Sequence, residues 1–126
     1  MIVGVTVTPQ GTVGGGLGRA QRVAVATVLD GGITSWTEID VGWGDLHGTG
    51  PEGTHHARIV RFAREHGLQC VVTSGLGDGM RTTMGKLGVT VRTDLTGDAR
   101  AAAVAAGAPH SPEAETASGD VGEDTR

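Results

Sequence analysis

Three clusters of glycine, each set directly after a run rich in β-branched residues, constrain this chain more than any other feature. They fall at residues 11–18, 42–53 and 74–79. A strand that ends in glycine hands its chain to a loop whose backbone N–H groups a ligand can approach closely. The chain holds 23 glycines but only three aromatic residues, Trp36, Trp43 and Phe62. Its core must therefore be built from Val, Ile, Leu and Ala, and much of the glycine must serve backbone geometry.

Residues 2–8 read as a strand covered on both faces, stopped by Pro9. Residues 22–29 and 33–41 flank Asp30-Gly31-Gly32, a hairpin signal, and form an antiparallel pair. On the return strand Glu38 and Asp40 share one face, and Thr37, Ile39 and Val41 the other. The second glycine cluster is expected to be loop throughout. Thr54 is then a candidate N-cap for a helix to about His66, with Ile59, Val60, Phe62 and Ala63 inward and Arg58, Arg61 and Glu65 outward.

Residues 68–73 read as a short buried strand, and a helix follows from about 78 to 87 with Asp78 as its cap. Residues 89–92 make a last short strand. An alanine-rich helix over 96–106 is closed by Gly107, with Pro109 beyond it. The order is βββαβαβα, an α/β protein with a mixed five-stranded sheet whose later strands are joined by right-handed crossovers. Residues 1–107 form the expected domain. Residues 108–126 carry five acids and one base and read as a disordered acidic tail.

The net charge of −4 resides entirely in that tail. Removing its five acids and one base from totals of 14 and 10 leaves nine of each. A neutral body offers no electrostatic footprint for nucleic acid and no polybasic signal for a membrane surface. Cys70 is the only cysteine, so no intrachain disulfide can form, as suits a reducing compartment. No apolar run reaches the roughly 18 residues of a membrane span. The start of the chain reads as a strand and not a signal peptide, so a cytoplasmic protein is expected.

Strand two reverses strand one, and strand three reverses strand two. If strand four runs parallel to strand one, all three glycine clusters emerge at one sheet edge. Two helix N-termini, near Thr54 and Asp78, would open there too. Their free N–H groups favour an anion, which points to a preformed pocket for a bulky anionic ligand. The plainer alternative is a set of ordinary turns.

The segment from Gly11-Thr12-Val13 through Gly18-Arg19-Ala20 opens an ordered set of features. The Asp30-Gly31 hairpin follows, then a loop bearing His47-Gly48-Thr49-Gly50. Next come the VVTSGLG segment at 71–77, the strand at 89–91 and the alanine-rich helix. Together, over about residues 1–107, this set resembles the dinitrogenase iron–molybdenum cofactor biosynthesis family. The resemblance implies a three-layer, ribonuclease-H-like fold. It also implies non-catalytic binding and carriage of iron–molybdenum cofactor, its precursor or a related iron–sulfur cluster, between donor and acceptor proteins. With the pocket argument, it places Gly16, Gly18, Arg19, Gly48, Gly50, Gly75 and Gly77 at the cofactor and makes His47 and His55 the candidate metal ligands. In one respect the chain departs from the family. Where a His-Phe-Gly-Arg segment is common, it reads Gly16-Leu17-Gly18-Arg19, so a ligand is lost from that loop.

Each candidate also has a plainer role. His47 can bind iron as a neutral imidazole or simply be solvated. His55 is preferred to His56 because neighbours diverge by about 100° around a helix, and His56 shares the stripe of Val60 and Ala63. Only one of the two is expected to face the pocket. Cys70 is the softest donor but sits early in strand four, away from the glycine edge, and reads as a buried structural thiol. It would serve only if a homodimer interface lay there. Arg19 can meet an anion or a surface carboxylate. Met80 and Met84 read as packing, with Met80 near the pocket mouth. Two other readings compete: a ligand-free adaptor on the same fold, and a phosphate- or nucleotide-binding enzyme using Asp45, Asp78 and Asp94 to hold Mg²⁺. The latter lacks a GxxxxGK[ST] segment and a GxGxxG in strand–turn–helix context.

Overall fold

The protein is represented by a computed structural model that describes residues 1–46 and 54–108. The β-branched run at the start forms β1 (Ile2–Thr6), the centre of a five-stranded sheet ordered β3-β2-β1-β4-β5. β2 (Arg22–Leu29) and β3 (Gly32–Asp40) pair antiparallel, and β2 is antiparallel to β1. β4 (Cys70–Val72) and β5 (Thr90–Arg92) run parallel to β1. The mixed α/β sheet is thus the one the element order calls for. Asp30 (φ 51°) and Gly31 (φ 80°) make the β2–β3 connection. Two positive φ angles in a two-residue loop give a type I′ turn, whose twist matches that of the strands it joins.

Alternation along β1 divides the core. Val3 and Val5 point to one face, where α4 (Ala99–Gly107) packs through Ala99, Ala102, Ala103 and Ala106. That spacing of i, i+3, i+4, i+7 is one helical stripe, and its small side chains bring the helix close to the sheet. A Cβ on Gly107 would lie 2.7 Å from Val28. On the other face Val23 and Val71 meet α2 (Thr54–His66) and α3 (Asp78–Lys86) through Ile59, Ala63, Met80 and Met84. Helices therefore cover both faces of the sheet.

Several boundaries differ from the sequence reading. α4 begins at Ala99 and not at 96, because Gly97 turns the chain at φ +83° and the Asp98 carboxylate accepts the Ala101 N–H at 2.9 Å. β1 stops at Thr6, and beyond it Val7 makes an isolated bridge to Val13 as the chain doubles back. The second glycine cluster is not all loop: Trp43–Leu46 forms a short helix, α1. The buried Trp43 drives this, packing edge-on to Phe62 with centroids 5.2 Å apart. Thr54 is the first residue of α2, and the position that would cap it lies outside the described residues. Among the described residues no helix is long and apolar enough to cross a membrane.

Candidate functional site

Because β1 and β4 are parallel, the loops that follow them leave the sheet at the same end. Gly16 and Gly75 form a parallel bridge, with the Leu17 N–H donating to the Gly75 carbonyl at 2.9 Å and the Ser74 N–H to that of Gly15 at 3.3 Å. Beneath them lie two buried hydroxyls, Thr6 and Thr73, whose oxygens are 3.3 Å apart. Thr73 Oγ1 also reaches the carbonyls of Gly15 (3.1 Å) and Gly75 (3.2 Å). A hydroxyl carries one proton, so Thr6 can donate to Thr73 while Thr73 donates to a loop carbonyl. The sheet end is thereby tied to both loops.

The start of the second cluster joins the same edge. The N–H groups of Val41 and Gly42 donate to the Gln21 carbonyl, and that of Gly44 to Ala20 at 3.2 Å. A Cβ on Gly44 would stand 2.7 Å from the Arg19 carbonyl, so glycine permits this close approach. His47, Gly48 and Gly50 lie outside the described residues.

Above this edge opens a basin of about 180 Å³, lined by Gly18, His55, His56, Ile59, Leu76, Gly77, Gly79 and Met80. The first turns of α2 and α3 both border it. Gly77, not Asp78, is the N-cap of α3; Asp78 is the first helical residue, and no side chain caps that end. The basin is shallow. Leu17 and Trp43 are buried beside Ile59, and the space left in the core below is only about 10 Å³, at most about one water.

The two histidines differ. His55 Nε2 is 2.6 Å from the Gly18 carbonyl and Nδ1 is 3.3 Å from an Arg58 Nη. A guanidinium only donates, so Nδ1 accepts and Nε2–H donates to the carbonyl. Both ring nitrogens of His55 are therefore engaged, Nε2–H holding α2 to the first loop and Nδ1 bonding to Arg58 within α2. The His56 side of the basin presents an exposed ring whose Cε1 would lie 3.3 Å from a Cβ on Gly79. The expectation that only one of the pair would face the pocket is corrected. The basin lies over the first turn of α2, and adjacent positions there straddle its mouth.

Of the residues singled out by sequence, Gly18, Gly77 and His55 thus come together around the basin. Gly16 and Gly75 form the bridge behind it, and Arg19 is exposed on the 3-10 turn Leu17–Arg19. Cys70 is buried in the α4-side core, where burial pushes its thiol pKa up and keeps it protonated. Asp94 accepts two hydrogen bonds from Arg92, which holds its carboxyl below the usual range, while Asp45 accepts from Gln21. Among the described residues no three His, Cys, Asp or Glu side chains gather, so the magnesium set of Asp45, Asp78 and Asp94 does not assemble. The residues that sequence reasoning passed over are His56, Leu76 and Gly79. Gly79 belonged to a recognised cluster, but no spacing rule links His56 to Met80.

The sequence profile of the dinitrogenase iron–molybdenum cofactor family matches residues 1–108. The chain belongs to that family. Membership associates it with the biosynthesis or binding of the iron–molybdenum cofactor. Two solved structures share the fold of this family member. The crystal structure of PH0822 aligns with a TM-score of 0.64 at 19% identity, covering 84% of this chain and 88% of that one. The NMR structure of a Thermotoga protein (TM1290), proposed to be a NifB protein and placed in the DUF35 family, aligns with a TM-score of 0.61 at 20% identity. It covers 82% of this chain and 84% of its own. Comparison with curated protein sequences gives no match.

Proposed function

We propose that the basin between the first turns of α2 and α3 receives an anionic metal cluster as cargo. The cluster is iron–molybdenum cofactor, its precursor or a related iron–sulfur cluster, and the protein carries it without chemical change. The observation that carries this reading is the convergence of Gly18, Gly77 and Gly79 with two helix N-termini around a preformed depression. The positive ends of two helices favour a negative guest, and glycine leaves the backbone bare to it. The donor chemistry fits. His56 supplies an imidazole and Met80 a soft thioether at the wall, and both suit iron in a sulfur-rich guest. Arg19, exposed on the adjoining turn, is placed to add charge complementarity, and His47, Gly48 and Gly50 remain proposed contributors. His55 acts through Gly18, positioning the loop. The strand order, with helices on both faces, supports the ribonuclease-H-like reading of the fold.

Anaerobic reconstitution with ferrous iron and sulfide tests the proposal. Folded protein is expected to retain iron and to show visible charge-transfer absorption. His56→Ala should weaken retention about tenfold, a loss of about 1.4 kcal/mol. Folded protein that takes up no iron would defeat the carrier reading. A second reading, a ligand-free adaptor, is favoured by the engagement of both His55 ring nitrogens and by Gly16 standing where the family commonly has histidine. It predicts that outcome, with partner binding unaffected by His56→Ala.

A further inference from the structure

The charges of this domain are sorted by layer. Arg22 pairs with Glu38 and Asp40, Arg92 with Asp94, and Arg100 lies over the Trp36 ring. On the α2–α3 layer, Arg61, Arg64, Arg81 and Lys86 are all exposed, and among the described residues none has an ion-pair partner. The acids of that layer are Glu65 and Asp78. The layer therefore carries an excess of cations, although the body as a whole is neutral.

At the end of this layer farthest from the glycine edge lies a second recess of about 240 Å³, lined by Ala63, Arg64, Gly67, Leu68, Leu87 and Val89. Lys86 adjoins it in the last turn of α3. The chain leaves the fold on this same sheet edge. Gly107 packs on Val28, the Val28 carbonyl accepts from the Met1 amino group at 2.8 Å, and a Cβ on Gly67 would lie 3.7 Å from Ile2. Beyond the described residues run 109–126, which include Glu113, Glu115, Asp120, Val121, Glu123 and Asp124. Extended, 18 residues span about 60 Å, ample to pass from α4 round the sheet edge to the recess. The run from Asp120 to Asp124 sets one apolar side chain in an acidic frame. The recess sets an apolar floor in a cationic rim.

We infer that the α2–α3 layer is a docking surface for an acidic segment, and that its resident occupant is this chain's own residues 113–124. The recess offers Leu68, Leu87 and Val89 as an apolar floor for one side chain, and Arg64 with the adjoining Lys86 as partners for acids on either side of it. The ends of α2 and α3 carry partial negative charge there, but about half a charge each is outweighed by the full charges of Arg64 and Lys86. Covalent attachment supplies an effective concentration in the millimolar range, so weak surface pairs suffice. The contact is salt-sensitive, because exposed charges are screened over about 8–10 Å at physiological ionic strength.

A nitroxide at Ser118→Cys in the full chain tests this, since Cys70 is buried and protonated. At low salt, amides near Arg64, Gly67 and Gly88 should broaden at least about twofold more than those along β3. The difference should vanish in 0.5 M salt and in a labelled chain also carrying E113Q, E115Q, D120N, E123Q and D124N. Equal broadening on both surfaces would overturn the inference, as would localised broadening that survives neutralisation. Broadening of an unlabelled isotopic chain mixed with a spin-labelled one would show docking between copies and overturn the intramolecular assignment.

Discussion

On the α4 side of the sheet, Val3, Val5, Val28 and Val72 meet four alanines of a single helix. On the other side, Val23 and Val71 meet Trp43, Ile59, Met80 and Met84, and basins of about 180 and 240 Å³ open at the two ends. Small side chains let a helix lie close along its length. Larger, more adaptable ones hold two helices farther out, so that their first and last turns border hollows. The alanine layer is built for closure. The methionine layer, which takes its first loop from the glycine edge, leaves room for a guest.

The largest test of this contrast is Met84→Ala, which removes a fully buried side chain from the open layer. We expect a loss of about 2–5 kcal/mol in urea unfolding, because a layer spanning two helices cannot collapse fully into the gap. Ala103→Leu should cost about 1–3 kcal/mol by overpacking the closed layer; a neutral result would break the contrast. Thr73→Val should cost about 1–2 kcal/mol by removing the buried hydroxyl that accepts from Thr6 and donates to a loop carbonyl. It should also speed amide exchange at Leu17 and Ser74 more than elsewhere.

The alkaline limb of stability sharpens the picture of the closed side. Cys70 has its pKa raised by burial from the ordinary 9.0. As pH climbs past that value the unfolded thiol ionises while the folded one stays protonated, so stability is full below it and falls above it. Cys70→Ala should flatten that decline, and native Cys70 should react with iodoacetamide only as fast as the fold opens. The smallest effect is expected at Gly79→Ala. Helix propensity and a 3.3 Å approach to His56 oppose one another, leaving a stability change under about 1 kcal/mol. The narrower basin should nevertheless reduce iron retention.

Much of the fold is legible in the sequence. A continuous β-branched run marked β1, weak alternation marked β2, Asp30-Gly31 marked the hairpin, and the alanine-rich run marked α4. Each depends on neighbours along the chain. The readings that failed depended on distant partners. Trp43 made a helix where glycine suggested loop, because Phe62 was there to receive it. Residues 96–98 were not helical, because the Gly97 carbonyl is bonded by the Val13 N–H of the first loop and Asp98 caps the helix from Ala99. In the candidate site, Gly18, Gly77 and His55 were named from pattern and topology, whereas His56 and Gly79 became visible only once α2 lay beside α3.

By itself, the order of strands and glycine clusters determined that three turns would share one edge, since alternation and chain reversal are local rules carried to their geometric consequence. Only the tertiary structure decided how that edge is used. Whether a histidine ring is spent on a neighbouring carbonyl or left facing a hollow depends on distances between residues 37 positions apart, as with His55 and Gly18. Packing fixes such distances, and no periodicity in the sequence encodes them.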